Sequence, residues 1–314
     1  MAPWTALEIP HLAGRTVVVT GANSGLGFES ALALARAGAH VVLACRDVAK
    51  GSDAVDRIRL AVLAADVRFA QLDLADLASV RTFATDFSRV YDGLDILLNN
   101  AGVMAIPRRE TADGFEMQFG INHLGHFALT GLLLDSLLAR PDARVVTVSS
   151  EAARIGRLRF DDLQGVGRYG KWTAYAQAKL SNQLFALELD RRATEREKGL
   201  VSVAAHPGYA TTNLQTVGPR MSGSEIMEKV YQFGNSVFAQ SAADGALPSL
   251  YAATMPGVRG GQYFGPDRLF GMRGHPKPVS FVGAARDPET ARRLWEVSER
   301  LTEVSFAALD PEGR

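Results

Sequence analysis

Tyr175 and Lys179 lie four residues apart at the start of a helix-forming stretch. That spacing puts both side chains on one helix face, about one turn apart. An ammonium held near a phenol favours the phenolate and lowers the tyrosine pKa toward working pH. A tyrosine tuned in this way acts as a general acid or base. Far upstream stands a glycine-rich turn, Thr20-Gly21-Ala22-Asn23-Ser24-Gly25-Leu26-Gly27. It follows a strand-like run and opens a helix-like one, the context of a dinucleotide-binding turn. Its glycines let the backbone approach a pyrophosphate, and the helix N-terminus supplies N–H donors and positive potential. Each feature alone has an ordinary explanation, a surface pair on a helix or a tight turn. Together they describe a bound dinucleotide with a proton source beside it.

The end of the second strand selects the dinucleotide. An acid there would bind the ribose hydroxyls of NAD and repel a 2′-phosphate. The chain has Ala44-Cys45-Arg46 instead. A guanidinium suits a phosphate by charge and by fork geometry. The expectation is NADP(H) in preference to NAD(H), with Arg46 at the phosphate. The competing reading pairs Arg46 with Asp47 or leaves it on the surface. Cys45 reads as strand filler.

These residues need a scaffold, and the pattern around them supplies one. Strand-like runs at 15–20, 41–43, 67–72, 94–98, 145–148 and 201–205 alternate with helical stretches. The helices are expected at about 28–37, 48–64, 77–90, 115–139 and 174–197, with Asp47 as N-cap of the second. Repeated strand–helix–strand units predict an α/β fold, a Rossmann-type, doubly wound, mostly parallel sheet with helices on both faces. No stretch reads as a linker, so residues 1–314 are expected to form one domain. Two substrate-side insertions, near 151–172 and 209–240, follow strand ends, where open α/β sheets bind ligands. The second carries Met221, Ile226, Met227, Val230, Tyr231 and Phe233 at helical spacing. A helix packed on the body and a lid over an apolar substrate fit it equally. Near the C-terminus, an amphipathic helix is expected from Pro288 to Val304, after Gly274-His275-Pro276-Lys277-Pro278.

Composition narrows the class. The 314 residues are 47% hydrophobic and 22% charged, as in folded soluble proteins. Lys and Arg total 34 against 34 acids, so the basic surplus of a nucleic-acid binder is missing. The single cysteine excludes an intramolecular disulfide and fits a reducing compartment. Met1-Ala2-Pro3-Trp4 does not open a secretory signal, and no run approaches the roughly 18 apolar residues of a membrane span. A cytoplasmic protein is the expectation. His123, His126 and His206 lack metal-ligand spacing, so no metal is expected.

Over residues 12–265 the chain resembles the short-chain dehydrogenase/reductase family, in its single-domain branch. The resemblance rests on Thr20-Gly21-x-x-x-Gly25-x-Gly27, Asn99-Asn100-Ala101-Gly102 and Tyr175-x-x-x-Lys179. It implies that Asp73, with Leu74 beside it, holds the adenine amine. It implies that Asn100, Ala101 and Gly102 line the cofactor site, and that Pro207, Gly208 and Thr212 hold the nicotinamide carboxamide. The implied catalytic set is Asn122, Ser150, Tyr175 and Lys179, with Ser149 as the alternative serine. The wording of Asn122-His123-Leu124-Gly125-His126-Phe127 and His206-Pro207-Gly208 is most similar to retinol dehydrogenase and its relatives, although no N-terminal anchor of the kind some of them carry is apparent.

The family chemistry implied is hydride transfer between the nicotinamide and a mostly apolar aldehyde, ketone or alcohol. Tyr175 would exchange the proton and Ser150 would orient the oxygen. Lys179 would tune Tyr175 and reach the nicotinamide ribose, and Asn122 would hold a proton-relaying water. Trp172 would border the substrate or fill core. The resemblance also implies a homodimer or homotetramer built on the helix after Phe115 and the tyrosine helix, whose apolar faces could equally pack on the sheet. Two other functions fit the residues: a non-catalytic NADP(H)-binding regulator, and a carbon–carbon double-bond reductase.

Overall fold

The β-branched runs form the centre of one sheet. The computed structural model describes residues 3–209 and 240–310. Strands β1 (Thr16–Thr20), β2 (His40–Cys45), β3 (Val67–Gln71), β4 (Ile96–Asn99), β5 (Ala143–Val148) and β6 (Leu200–Ala205) match the six expected runs. Two more follow, β7 (Tyr263–Arg268) and β8 (Arg273–Val279), which the sequence pattern did not announce. The sheet order is β3-β2-β1-β4-β5-β6-β7-β8. All neighbours are parallel except β7 and β8, which pair antiparallel. β8 carries Pro276 and Pro278, which cannot donate to a ladder and are tolerated at a sheet edge.

Helices cover both faces. On one side α1 (Gly25–Arg36), α2 (Val48–Ala61) and α8 (Ala242–Thr254) close a core that includes Val17, Val19, Leu34, Ile58 and Phe264. On the other, α3 (Leu77–Val90), α5 (Gly125–Leu132), α7 (Lys171–Glu195) and α9 (Pro288–Thr302) close a core around Leu97, Phe127, Phe185, Trp295 and Phe306. Such burial contributes roughly 1.5–3 kcal/mol per large side chain. Asp47 caps α2 as expected, its carboxylate accepting from the Lys50 N–H. The described part of the second insertion consists of its ends, Tyr209 and Gln240; the expected apolar set between them lies outside the described residues.

One expected helix is not continuous. Residues 115–139 form α4 (Met117–Phe119), a π-helical turn (Gly120–Leu124), α5, and α6 (Leu134–Leu138) after a break at Leu133. The Gly125 N–H reaches back five residues to the Gly120 carbonyl. A π turn widens the helix by one residue and commonly marks a functional position. Asn122 is at its centre.

Candidate active site

The turn after β1 is shaped by contacts that exclude side chains. Gly21 has φ +67°, and a methyl on Gly27 would lie 2.5 Å from the Gly21 carbonyl oxygen and 2.6 Å from Asn100 Nδ2. Thr20, to which the sequence assigned no role of its own, ties this turn to the loop after β4. Its hydroxyl accepts from the Asn100 and Ala101 N–H groups, both at 2.9 Å. Asn100 Nδ2 donates to the Thr20 carbonyl at 2.8 Å. A polar residue ending β1 was the available signal.

A cavity of about 520 Å³ runs along the strand ends. It is lined by Gly21, Asn23, Ser24, Gly25, Leu26 and Gly27, and by Arg46, Asp73 and Leu74. Asn100, Ala101, Gly102, Ser150, Tyr175, Lys179, Pro207 and Gly208 complete the set brought together from the sequence. Thr212 lies outside the described residues. Asn122 stands behind the wall, clamped to the main chain of Val103. Its Oδ1 accepts from the Val103 N–H at 2.8 Å and its Nδ2 donates to the Val103 carbonyl at 2.9 Å. Its side chain is therefore occupied in holding the loop.

The cavity fits a nicotinamide dinucleotide at both ends. Arg46 is exposed at the β2 end and makes no ion pair among the described residues. The alternative partner, Asp47, is engaged by the Lys50 N–H and ammonium, which hold its carboxyl below the usual range. The Ala22 and Asn23 N–H groups favour the Cys45 thiolate, but burial outweighs them and pushes its thiol up to about 11. It stays a neutral thiol at working pH, in line with its reading as filler.

Two serines follow β5, and they face different ways. Ser149 is buried and donates to the Lys179 carbonyl at 2.8 Å. Ser150 accepts from the Ala152 N–H at 3.2 Å, and its hydroxyl faces the Tyr175 phenol and lowers its pKa. Lys179 Nζ donates to the Val148 carbonyl at 2.9 Å and lies 5.8 Å from the centre of the Tyr175 ring.

The expected lowering of the tyrosine pKa is not what the protein alone shows. Burial pushes Tyr175 up to about 12, offset in part by Ser150. Burial also brings Lys179 down to about 8. Desolvation disfavours both charged forms. The ammonium is directed at a carbonyl rather than at the phenol.

The substrate end was only partly legible. Trp172 lines the cavity beside Tyr175, its ring packed edge-on at 6.3 Å, and Val103, Met104, Ile121, Ala152 and Tyr209 also line the cavity. Trp172 therefore borders the cavity rather than the core. Behind that wall, buried Glu116 accepts from the N–H groups of Gln118 and Phe119 and from the Tyr169 hydroxyl. Gln118 Nε2 donates to the Lys171 carbonyl at 2.9 Å, fixing the start of α7. Nothing in the sequence singled out this network, because its members are far apart along the chain.

The sequence profile of the short chain dehydrogenases matches residues 15–221. The chain belongs to that family. Retinol dehydrogenase 12 of Homo sapiens is 42% identical over 298 residues, spanning 94% of this chain and 89% of its own. Retinol dehydrogenase 13 of Homo sapiens is 43% identical over 292 residues, spanning 92% and 84%. A crystal structure of a protein from Mycobacterium paratuberculosis superposes with a TM-score of 0.80 at 45% identity, covering 97% of this chain and 99% of that one. A short chain dehydrogenase of Shigella flexneri, crystallised with NADP, shares the fold with a TM-score of 0.62 at 24% identity, covering 82% and 98%. This member of the short-chain dehydrogenase family is thus an oxidoreductase acting on CH–OH and C=O groups.

Proposed function

We propose that the protein is an NADP(H)-dependent carbonyl reductase or alcohol dehydrogenase for mostly apolar aldehydes, ketones or alcohols. The observation that carries this reading is the convergence of Ser150, Tyr175 and Lys179 on one wall of the cavity, with the Ser150 hydroxyl near enough to lower the Tyr175 pKa. When bound, the cofactor supplies or takes up the hydride. Tyr175 stays protonated across the working range and donates its proton to the carbonyl oxygen as that oxygen gains charge. In the alcohol-oxidising direction Tyr175 must first lose its proton to solvent, and the resulting phenolate then accepts the proton of the alcohol. Ser150 Oγ already accepts from Ala152, so its own proton can be directed at the same oxygen, making a two-donor cradle. Lys179, buried beside Tyr175, would hold the ribose hydroxyls and bias Tyr175 electrostatically. Asn122 would keep the loop at Val103 in register with them. Met104, Trp172, Val103 and Ile121 offer apolar contact and no fixed charge, which favours an apolar substrate.

The test is NADPH consumption against aliphatic, aromatic, steroid and retinoid carbonyls, with Tyr175→Phe run beside the wild type. Wild-type turnover with at least one class, reduced about 10²–10⁴-fold in the variant, is expected, with NADPH binding retained. A variant as fast as the wild type would remove Tyr175 from the mechanism. NADPH binding without turnover on any class would favour a cofactor-sensing regulator.

A further inference from the structure

The buried Gln118 amide holds two parts of the cavity wall at once. Its Oε1 accepts from the Ala105 N–H at 2.7 Å. Its Nε2 donates to the Lys171 carbonyl at 2.9 Å and to the Tyr169 hydroxyl at 2.8 Å. Ala105 follows Met104 and Lys171 precedes Trp172, and both Met104 and Trp172 line the cavity. Met104 is therefore gripped from either side, by Asn122 on Val103 and by Gln118 on Ala105. The Lys171 carbonyl lies one helical turn before Tyr175, so the same amide sets the start of the helix that carries the proton donor.

Both parts border the reacting groups. A methyl on Gly102 would lie 3.8 Å from Lys179 Nζ, so the segment leading to Met104 passes that ammonium. Trp172 packs on the Tyr175 ring. Behind Gln118 stands Glu116, whose carboxylate accepts from the Gln118 N–H at 3.0 Å and the Phe119 N–H at 2.8 Å. The Glu116 N–H donates to Gln164 Oε1 at 2.7 Å. The Tyr169 hydroxyl lies 3.1 Å from Glu116 Oε1 and 2.9 Å from the Ile106 carbonyl. Directed bonds thus tie three segments, 103–106, 116–119 and 164–171, that are far apart in sequence.

The arrangement is costly for mere packing. Glu116 makes no ion pair among the described residues, and Arg108 pairs with Glu110 instead. A carboxylate buried without a cation is expensive. Ala105 adds strain, with φ 51° in the left-handed region that disfavours a Cβ. Apolar side chains would join the same segments, but apolar attraction has no direction. A satisfied polar network fixes one geometry. We propose that Gln118 and Glu116 are positioning residues that set the gap between Met104 and Trp172, and so select by shape which carbonyl compounds bring their oxygen to Tyr175. Neither residue lines the cavity, so both act through the wall they hold. The inference rests on the proposed reaction for its substrates, but the holding of the wall is measured without it.

The experiment compares the wild type with Gln118→Met, which keeps the volume and removes three side-chain bonds, and with Tyr169→Phe, which keeps the ring and frees Ile106. With NADPH, kcat/KM is measured for decanal, a flexible chain, and for naphthaldehyde, a flat ring pair. A misplacement of about 1 Å can cost 10²-fold, and it burdens a flexible and a rigid compound unequally. The ratio of the two kcat/KM values should therefore shift by about tenfold or more in Gln118→Met, and in the same direction by less in Tyr169→Phe, with NADPH affinity unchanged. Amide hydrogen exchange of the NADPH-bound protein should quicken at 103–106 and 174–176 and stay as it was elsewhere. An equal loss on both compounds, or faster exchange along the whole chain, would make the network merely structural and overturn the proposal. Should Gln118→Met misfold, Tyr169→Phe decides by the same two measurements. A wild type that reduces neither compound counts against the reaction, and exchange then decides the wall: unchanged rates at both segments would overturn its holding by Gln118.

Discussion

Two side chains concentrate the chemistry. Lys179 is buried with its ammonium donating to the Val148 carbonyl, and its pKa falls to about 8. The lysine is charged below that value and neutral above it. If the ammonium supports proton transfer, carbonyl reduction holds steady below pH 8 and declines as pH rises through it. A pH–kcat profile checks this, and a flat profile to pH 10 would separate Lys179 from the proton path. The same burial costs stability at pH 7, about 3 kcal/mol at 1.36 kcal/mol per pKa unit. Lys179→Met should therefore raise the thermal midpoint while depressing turnover, a trade seen where function keeps a charge in apolar surroundings. Arg46 offers a second check. Asp47 is occupied by Lys50, so Arg46 is available to a 2′-phosphate. Arg46→Asp should weaken NADPH by about 10–100-fold, the worth of a charge-assisted contact, and leave NADH nearly unchanged. Equal affinity of the wild type for both cofactors would sink the assignment.

At the scale of elements, α9 gives the clearest prediction. It lies across α7 and α5, with Trp295 against Phe127, Phe185 and Phe306 at ring separations of 5.1, 5.8 and 4.5 Å. Arg192 stacks on Trp295 at 4.4 Å and pairs with Glu188 and Asp310. The helices that the family resemblance assigned to subunit contact thus carry part of this chain. Trp295→Ala should cost about 3–5 kcal/mol and, by loosening α9, promote association through α5 and α7. Sedimentation of the two proteins would show this, and an unchanged distribution with unchanged stability would refute it. The elements also show what the sequence made legible. Five of the six expected strands were readable because parallel strands covered on both faces are continuous apolar runs, as in Val17-Val18-Val19, whereas β3 is a half-exposed edge strand. β7 and β8 were not, because Pro266, Pro276 and Pro278 break that pattern and are acceptable only near an edge. The π turn at Asn122 was hidden because its residues fit an ordinary apolar helix. The residues brought to the cavity were legible because each ends a strand or starts a helix. The Glu116 network was not, since a buried carboxylate depends on partners supplied by distant segments.

For the molecule as a whole, three imidazoles set the response to acid. His123 is buried against Phe119, with Nε2 2.9 Å from the Ser298 hydroxyl. His126 sits between the Thr20 hydroxyl and the Asn122 carbonyl. His206 is enclosed beside Gly265. Burial lowers their pKa values to about 3, 4 and 4 respectively. For a histidine whose folded value is depressed, stability is fully present above the unfolded value near 6.5 and is lost as pH falls toward the folded value. Between these limits the unfolded chain binds up to three protons that the native one refuses. Asp190 acts in the opposite sense. Its value is raised to about 6, and burial raises Glu116 and Glu299 as well, so protonating these carboxyls on the way down favours the fold and offsets part of the loss. A domain stable by about 5–15 kcal/mol, losing about 1.4 kcal/mol per group per pH unit, should unfold before the imidazoles reach their native values. Denaturant unfolding from pH 7 to 4.5 is expected to show stability falling below pH 6.5 with a net proton uptake of up to about two. His126→Gln, which keeps a polar group facing Thr20, should remove about one proton from that slope. A stability curve flat to pH 5 would mean that the three rings are hydrated rather than enclosed.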